Sequence, residues 1–246
     1  MNKTVIIIPS RLKALRLPNK PLQIINNKEM ILHVYDAAIK SNVGEVYVAT
    51  PDDEIIDLIK MHKGQVIKTN QQHDTGTDRI FEVFKNNLNS KPDIIINLQG
   101  DMPNIDPNAI IHLANYMSKK KCDIGTLACN LNIKSELNNP NIVKVLVEKK
   151  FNKDDFLKAI DFFRIGDPKN HLYHHVGIYA FTNMALLRYV TLKRSELELK
   201  RKLEQLRALE NKMLIHVGYT DSSPIGVDTI TDLDEVRKVM KKNEKK

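Results

Sequence analysis

Glycine is scarce in this sequence: there are nine glycines in 246 residues, and the closest two, Gly218 and Gly226, are eight positions apart. The two common phosphate-binding fingerprints, GxGxxG and GxxxxGK[ST], need glycines at most about five positions apart. Neither pattern can occur here. Classical dinucleotide binding through a Rossmann loop and P-loop nucleotide hydrolysis therefore both lose their main support.

Cysteine is also scarce and long apolar runs are missing, and both features bear on where the protein works. Cys122 and Cys129 are the only cysteines and form no CxxC pair, so we expect two reduced thiols and no zinc ribbon. No apolar run approaches the roughly 18–20 residues that span a bilayer, and the run Val5–Ile8 is too short for a signal peptide. We predict a cytoplasmic protein with no membrane partner.

Aromatic residues are few as well, which matters because the chain is basic. The net charge is +8, a value that invites a nucleic-acid-binding interpretation. However, only 6% of the residues are aromatic, which leaves few platforms for stacking bases. The lysines are scattered along the chain and partly interleaved with acids, as on solvated helix faces. We predict no nucleic-acid partner.

The apolar pattern of the first half predicts alternating strands and helices. Strands are expected at 4–8, 45–49, 65–69 and within 92–101, and helices at about 30–40, 52–63, 78–87 and 107–119. The run Ile94–Ile96 has the continuous apolar character of a strand buried on both faces. Such alternation indicates an α/β fold with a mostly parallel central sheet flanked by helices and joined by right-handed crossovers.

The second half is richer in strands. Strands are expected at 123–131, 141–148, 174–181 and 213–220, with one long helix over 196–210 and a last helix from about 231. No repeat or flexible linker divides the chain. We therefore expect a single domain, 1–246, whose second half adds a smaller mixed-sheet subdomain that serves as a lid or for dimerisation.

A basic loop, PSRLKALRLPNKPL at 9–22, follows the first strand. Prolines in its second half stiffen it and prevent a helix. Arg11, Arg16 and Lys20 therefore lie at the carboxyl end of a strand, where open α/β sheets bind ligands. Arginine offers paired donors to phosphate oxygens and lysine a compact charge. We predict that these three hold an anion, while Lys13 is solvated.

Two aspartates are candidates for the same place. Asp101 in LQGD ends the buried strand, and Asp228 in GVDT precedes the last helix. Each alone could be a turn or cap residue. Together they offer the hard carboxylate oxygens that Mg²⁺ prefers, completed by substrate phosphates and water. A nucleoside triphosphate of about −4, one Mg²⁺, two aspartates and three basic side chains give a nearly neutral assembly. We predict a Mg²⁺ site here.

Two further segments carry weaker signals. HDTGTDR at 73–79 is a polar loop that runs into a helix, and its Thr75, Gly76 and Arg79 could meet a ribose or a base. LEQLR at 203–207 offers polar side chains on a helix, although an ordinary amphipathic surface has the same pattern.

Six segments occur in the order expected of one family: IIIPSRLKALRLPNKPL, HDTGTDR, NLQGDMP, HHVGIYAF, LEQLR and GVDTITDL. On these residues the chain resembles the 3-deoxy-manno-octulosonate cytidylyltransferases, the CMP-Kdo synthetases, from about Thr4 to Met240. The loop RLPNKPL and the segment GVDT are its more specific parts.

The resemblance implies a nucleotide-diphosphosugar transferase-like fold and a homodimer. It also implies transfer of CMP from CTP to 3-deoxy-D-manno-octulosonate (Kdo), which gives CMP-Kdo and pyrophosphate for lipopolysaccharide biosynthesis, with Mg²⁺ as cofactor. Two alternatives stay open: a cytidylyltransferase for another 2-keto sugar acid, of sialic acid or 8-amino-Kdo type, and a basic nucleic-acid-binding or regulatory protein that kept the fold without catalysis.

The family's site residues are transferred only to the positions that match. The resemblance assigns catalysis to Arg11, Lys20, Asp101 and Asp228, the two aspartates holding the metal. It assigns the triphosphate also to Arg16, and the cytosine and ribose to Thr75, Gly76 and Arg79. It assigns the sugar acid to Gln99, Arg164, His175, Tyr179, Glu204 and Gln205.

Four places depart from the family pattern, and one of them is SELE at 195–198, which stands where SPLE is usual. Asn19 stands where glycine is usual, and asparagine is among the residues that best tolerate a positive φ. Met102 replaces an acidic residue. The segment AIDFFRIGDP at 159–168 shortens a longer family segment, and Arg164 is the candidate match within it.

Overall fold

The computed structural model describes residues 3–13, 16–88, 91–119, 121–152, 154–167 and 169–243. The strands are β1 (Thr4–Pro9), β2 (Ile24–Ile25), β3 (Lys28–Glu29), β4 (Glu45–Thr50), β5 (Val66–Lys68), β6 (Ile94–Asn97), β7 (Ile124–Cys129), β8 (Lys144–Val147), β9 (Phe156–Phe163), β10 (Leu172–Thr182) and β11 (Ile215–Tyr219). The helices are α1 (Met30–Ser41), α2 (Asp53–Met61), α3 (Gly76–Asn86), α4 (Pro107–Met117), α5 (Ile133–Glu136), α6 (Asn183–Thr191), α7 (Glu196–Arg201), α8 (Gln205–Glu210) and α9 (Ile230–Asn243). Within the described part of the chain, no helix has both the length and the apolar character to cross a bilayer.

The chain divides into two compact units. One comprises Lys3–Lys91, Asn97–Ile111 and the segment from Pro224 onward, and we call it the β1 unit. The other comprises Pro92–Ile96 and His112–Ser223, and we call it the β7 unit.

The β1 unit is built on parallel strands in the order β5-β4-β1. Ile6, Ile7 and Ile8 of β1 are fully buried, as expected for a parallel strand that is covered on both faces. The backbone N–H of Ser10 donates to Ala49 at 2.9 Å and so continues the ladder past the end of β1. The position at which the chain leaves the sheet and enters the basic loop is thereby fixed.

The C-terminal helix of the β1 unit packs against the basic loop. Leu17 from the loop is buried in one apolar cluster with Ile25 and Met30, with Val227 before α9, and with Leu233 of α9. Burying a leucine side chain contributes about 1.5–3 kcal/mol. The apolar contact of Leu17 therefore holds the loop to α9.

The β7 unit has a mixed sheet in the order β6-β10-β7-β11-β9-β8. Strands β11 and β7 are parallel, whereas β10–β7, β11–β9 and β8–β9 are antiparallel. An additional antiparallel pairing of β10 with β8 closes five of these strands into a ring. The mixed sheet expected of the second half is present.

The prediction of one long helix over 196–210 is wrong. Helix α7 ends before Lys202, which has a φ of 55°, and the separate helix α8 follows. In one continuous helix, Glu198 and Arg207 would lie nine positions apart, on opposite faces, at about 100° per residue. Because the chain turns at Lys202, Arg207 donates two hydrogen bonds to the Glu198 carboxylate, at 2.8 and 2.7 Å.

Strand β9 is an element that the sequence prediction lacked. It lies in the region where the chain departs from the family pattern, and its side chains alternate: Leu157 and Ala159 are buried, whereas Lys158 and Ile160 are exposed. This period of two is the signature of a strand with one face in the core. The pattern was therefore present in the sequence.

Candidate active site

A cavity of about 540 Å³ lies in the β1 unit, where the chain leaves β1. Its walls come from the basic loop, the start of α3 with the residues before it, the residues after β6, and Asp228 before α9. Among the predicted site residues, the following line it: Arg11, Arg16, Lys20, Thr75, Gly76, Arg79, Gln99, Asp101 and Asp228. The fold thus brings together polar side chains from four distant segments.

Lys20 joins the two aspartates at this cavity. Its Nζ donates to Asp101 Oδ2 at 2.9 Å and to Asp228 Oδ1 at 3.0 Å. Arg16 forms an ion pair with the other oxygen of Asp228 at 2.8 Å. Burial lowers the pKa of Lys20, but the two carboxylates outweigh this effect, and the pKa is raised above its ordinary value. Lys20 is therefore a permanent positive charge between two negative ones.

The backbone of the basic loop places Lys20 there. Asn19 has a φ of 51° and a ψ of 34°, in the left-handed region, and a single 3₁₀ turn from Lys20 to Leu22 follows it. The N–H of Leu22 donates to Asn19 O at 2.9 Å and closes this turn. The predicted positive φ at Asn19 is confirmed, and asparagine there does what glycine usually does.

Asp101 and Asp228 are held by backbone hydrogen bonds. The N–H of Val227 donates to Asp101 O at 2.9 Å, which ties the residue before Asp228 to the end of the β6 segment. The carboxylate of Asp232 in α9 accepts from the N–H groups of Asp228 and Thr229 at 3.0 and 2.8 Å. Thr229, not Asp228, caps α9, because its hydroxyl accepts from the N–H of Asp232. The Asp228 side chain is thus directed to the basic loop.

The two aspartate carboxylates can hold a divalent cation only together with substrate phosphates and water. The described residues include no group of three or more His, Cys, Asp and Glu that could hold a metal by themselves. Mg²⁺ is commonly bound through one or two carboxylates plus substrate phosphates and water. Asp101 and Asp228 offer two such carboxylates, and the basic residues beside them suit phosphates.

The start of α3 forms another wall. Thr75 and Asp78 make a reciprocal capping box, which fixes where the helix begins. A Cβ at Gly76 would lie 3.3 Å from the Pro9 side chain and 3.6 Å from that of Gln99, so the absent side chain lets these segments approach. Gln99 in turn donates to Asn97 Oδ1 at 2.9 Å.

Arg79 lies in this wall but is engaged with the protein. Its side chain is buried, and Nη1 donates to the Thr69 hydroxyl and, at 2.9 Å, to Asn70 O. Burial and the charge of Arg11 lower the pKa of Arg79, while nearby carboxylates raise it. The guanidinium group therefore orders the chain after β5 as well as lining the cavity.

Some cavity residues were missed by the sequence reasoning. They are Pro9, Ser10, Leu17, Pro21, His73, Asp74 and Gly100, and Lys13 lines the cavity too, although it is exposed as predicted. The Ser10 hydroxyl is buried and has no hydrogen-bond partner among the described residues, so it can bond to a ligand. Each of these residues is a near neighbour in sequence of a predicted site residue, and this proximity was the feature of the sequence that could have identified it.

The β7 unit holds most of the residues predicted to contact a sugar acid. His175 and Tyr179 are buried on β10, with ring centroids 5.4 Å apart. His175 Nε2 lies 2.9 Å from the Thr126 hydroxyl. Burial lowers the pKa of His175 to about 3, and burial together with the charge of Glu204 raises the pKa of the Tyr179 phenol. Both side chains are therefore neutral hydrogen-bonding groups.

Arg164, Glu204 and Gln205 belong to the same unit. The charges of Glu204 and Arg164 both act on Tyr179, and Gln205 is buried at the start of α8. Arg164 Nη1 donates to Pro140 O at 2.9 Å. Gln99, which was predicted with this group, lies instead in the cavity of the β1 unit.

Lys144 is a further residue that the sequence reasoning missed. It is fully buried on β8, and its ammonium group donates to the backbone carbonyls of Asn139, Ile142 and Arg164 at 2.8, 3.0 and 2.5 Å. Three carbonyls replace the water that a buried ammonium group loses. Lys144 thereby fixes the turn that carries Arg164.

Known proteins share both the sequence and the fold. The cytidylyltransferase family model matches residues 5–215. The chain is 42% identical over 241 residues to a 3-deoxy-manno-octulosonate cytidylyltransferase from Rhodopseudomonas palustris (strain BisB18), covering 97% of this chain and 98% of that protein. It is 41% identical over 238 residues to the protein of the same name from Brucella ovis, covering 96% and 94%.

Solved structures of synthetase and pyrophosphorylase enzymes have folds similar to that of this chain. The fold is similar to that of a CMP:2-keto-3-deoxy-manno-octonic acid synthetase complexed with CTP, with a TM-score of 0.87 and 35% identity over 98% of this chain and 99% of the other. A UDP-glucose pyrophosphorylase complexed with UDP-glucose shares the fold at 13% identity, with a TM-score of 0.70 over 99% and 100% of the two chains. The predicted fold class is confirmed. With the family model matched over 5–215 and about two residues in five identical to curated relatives along nearly the whole chain, this protein belongs to the cytidylyltransferase family.

Proposed function

We propose that this protein transfers CMP from CTP to Kdo and releases CMP-Kdo and pyrophosphate for lipopolysaccharide biosynthesis. The observation that carries the proposal is the cavity of the β1 unit, in which Lys20 and Arg16 meet Asp101 and Asp228. The near-full-length relatives are named for this activity, and the similar solved synthetase is complexed with CTP.

The charge of the cavity suits a polyphosphate. Five basic and three acidic side chains line it, a net charge of +2 without His73. Arg11, Arg16 and Lys20 are the groups that we assign to the triphosphate of CTP, because guanidinium and ammonium groups form strong charge-assisted hydrogen bonds with phosphate oxygens. Thr75, Gly76 and Arg79 form the wall that we assign to the ribose and the cytosine.

Mg²⁺ is the proposed cofactor, held by Asp101 and Asp228. When bound, it would offset the repulsion between these carboxylates and the phosphates and stabilise charge on the transferred phosphoryl group. Without a cation, both aspartates would oppose the binding of CTP. This contrast is the physical reason to expect a metal requirement.

The chemistry depends on positioning and on charge. The anomeric 2-hydroxyl oxygen of Kdo forms a bond to the α-phosphorus of CTP, and the bond from that phosphorus to the oxygen that bridges the α- and β-phosphates breaks, so that pyrophosphate leaves. The hydroxyl proton passes to water. Arg11, Arg16 and Lys20 hold the triphosphate and stabilise the charge that builds up on the departing pyrophosphate.

The sugar acid is assigned to polar groups of the β7 unit. His175 and Tyr179 are neutral and can orient hydroxyl groups, and Arg164, Glu204 and Gln205 add charged and amide contacts. Gln99 keeps its proposed substrate contact from within the cavity.

The test is pyrophosphate release with each of the four nucleoside triphosphates, with and without Kdo and Mg²⁺. We expect release only with CTP, Kdo and Mg²⁺ together. Absence of Kdo-dependent pyrophosphate release from CTP would contradict the proposal. Release with sialic acid or 8-amino-Kdo but not with Kdo would identify that other sugar acid as the substrate. Undiminished release by the Asp101→Ala or Asp228→Ala variant would remove the metal assignment.

The homodimer, the single domain of 1–246 and the cytoplasmic location stay predictions from the sequence. Light scattering of the purified chain would measure its mass in solution. A value near twice the chain mass of 28.2 kDa is expected for the dimer.

A further inference from the structure

The basic loop has no glycine, so some other feature must hold its backbone beside the ligand. Arg11 and Lys13 line the cavity, and Leu12 lies between them. The backbone N–H of Leu12 donates to Asp52 Oδ2 at 2.7 Å, across 40 positions in the sequence. A short hydrogen bond to a carboxylate is among the stronger kinds in proteins. Asp52 therefore holds the residue between two cavity-lining basic side chains.

Asp52 makes this contact in place of the hydrogen bonds expected from its position at the start of α2. Asp52 is the N-cap residue of α2, where an aspartate normally accepts hydrogen bonds from the first turn of its own helix. Its side chain makes no such cap bond here. Asp53 and Glu54 supply the negative charge that the start of α2 favours. The Asp52 carboxylate thus bonds to the backbone of the distant Leu12 and does not cap its own helix. Such departures from the local preference of a residue are typical of functional sites.

The charges around Asp52 give it a second effect. Burial lowers the pKa of the Arg79 guanidinium, the charge of Arg11 lowers it further, and the charges of Asp52 and Glu82 raise it. Arg11 and Arg79 therefore repel each other across this part of the cavity wall. The Asp52 carboxylate offsets part of this repulsion before any phosphate arrives.

We infer that Asp52 is a positioning residue for CTP binding: its carboxylate fixes the backbone at Leu12 so that Arg11 and Lys13 line the triphosphate site. The inference rests on the proposed function and adds to it a residue behind the loop, outside the described lining of the cavity. It also explains how the start of a loop without glycine is held, because the Asp52 side chain supplies a hydrogen bond to the backbone at Leu12.

Three variants test this inference. Asp52→Ser supplies a good N-cap for α2 but is too short to keep the bond to Leu12, so the helix is preserved while the contact is lost. Asp52→Asn retains an acceptor oxygen at nearly the same reach. Asp53→Ala is the matched control, because Asp53 is exposed and pairs only with the exposed Lys68 among the contacts of the described chain.

Two measurements are made on each variant of the full chain. The first is hydrogen exchange of the Leu12 amide, which reports the contact itself without any substrate. We expect exchange at least about ten-fold faster in Asp52→Ser and little change in Asp52→Asn and Asp53→Ala. The second is calorimetric CTP binding with Mg²⁺ and without sugar. We expect Kd to rise about ten-fold in Asp52→Ser, to stay within about three-fold in Asp52→Asn and to be unchanged in Asp53→Ala.

Steady-state kinetics separates positioning from chemistry. Asp52→Ser should raise KM for CTP by a similar factor while kcat and KM for Kdo change by less than about three-fold. Unchanged Leu12 exchange in Asp52→Ser, or unchanged CTP affinity, overturns the inference and leaves the proposed function intact. Wild-type protein that releases no pyrophosphate from CTP and Kdo overturns the proposed function, and the exchange measurement still decides whether Asp52 holds the loop.

Discussion

Replacing Lys20 by methionine removes one ammonium group and keeps most of the apolar side chain. In the structure that group is largely buried, with its side chain 18% exposed, and it bridges Asp101 and Asp228 at 2.9 and 3.0 Å. Loss of one positioned charge that stabilises a transition state typically lowers kcat by about 10²–10³-fold. We expect kcat/KM for CTP to fall by roughly 10³-fold, which corresponds to about 4 kcal/mol.

The structure also predicts an effect of opposite sign on metal binding. The Lys20 ammonium group contacts one oxygen of each aspartate, and a divalent cation would compete for the same oxygens. Lys20→Met should therefore bind Mn²⁺, a spectroscopic substitute for Mg²⁺, more tightly than the wild type in the absence of CTP. Weaker CTP binding together with tighter metal binding distinguishes the loss of this bridge from general damage to the site.

The assay is pyrophosphate release over a range of CTP concentrations with saturating Kdo and Mg²⁺, beside a thermal melt of each variant. Lys60→Met on the exposed end of α2 is the control and should behave as wild type. Because the pKa of Lys20 is raised above its ordinary value, Lys20 should add no inflection to the rate between about pH 6 and pH 9. A folded Lys20→Met variant within about three-fold of wild-type kcat/KM would refute this reasoning.

Three further predictions concern stability. Glu198→Ala should lower the free energy of unfolding by about 3–5 kcal/mol in urea titrations, because it leaves the buried Arg207 without its carboxylate; a loss below about 1 kcal/mol would contradict this. His175 should account for about 2 kcal/mol of the stability that the wild type loses between pH 7 and pH 5, since the pKa of His175 is about 3 in the fold and ordinary when unfolded, so protonation favours the unfolded chain; His175→Gln should reduce this slope, and an identical slope would exclude His175 as a source. Asn19→Val should cost about 1–2 kcal/mol in the same titrations because its φ is 51°, whereas Asn19→Gly should be nearly neutral; equal costs would show that φ is not the reason.

The main strands and the cavity's charged groups were predictable from the sequence for physical reasons. Continuous apolar runs such as Ile6–Ile8 and Ile94–Ile96 have few alternatives to buried strands, and all six residues are fully buried. Side chains that follow such strands collect at one edge of a parallel sheet. This rule was enough to expect Asp101 beside the basic loop. The positive φ of Asn19 was predictable because asparagine tolerates the left-handed region better than most residues.

What could not be predicted depends on contacts between distant segments. The turn at Lys202 brings Glu198 and Arg207 into a buried ion pair, and a pattern of single residues contains no record of such a pair. Asp52 looked like a helix-start residue, and its bond to Leu12 needs the folded chain to be seen. Gln99 was grouped with the residues predicted to contact the sugar acid, but it lines the cavity of the β1 unit. Its position likewise depends on the folded chain.

The β1 unit is discontinuous, and this has a consequence for the order of events during synthesis. The residues 112–223 of the β7 unit are translated after Asp101 and before Asp228. A nascent chain that has released only its first 223 residues therefore has Lys20 beside a single aspartate, and Leu17 without the apolar residues of α9. Pairing across 208 positions is a late step for any chain, because loop closure must come first. A ribosome-bound intermediate should thus bind CTP poorly even when its strands have formed, and the segment with Asp228 and α9 completes the site once it has emerged.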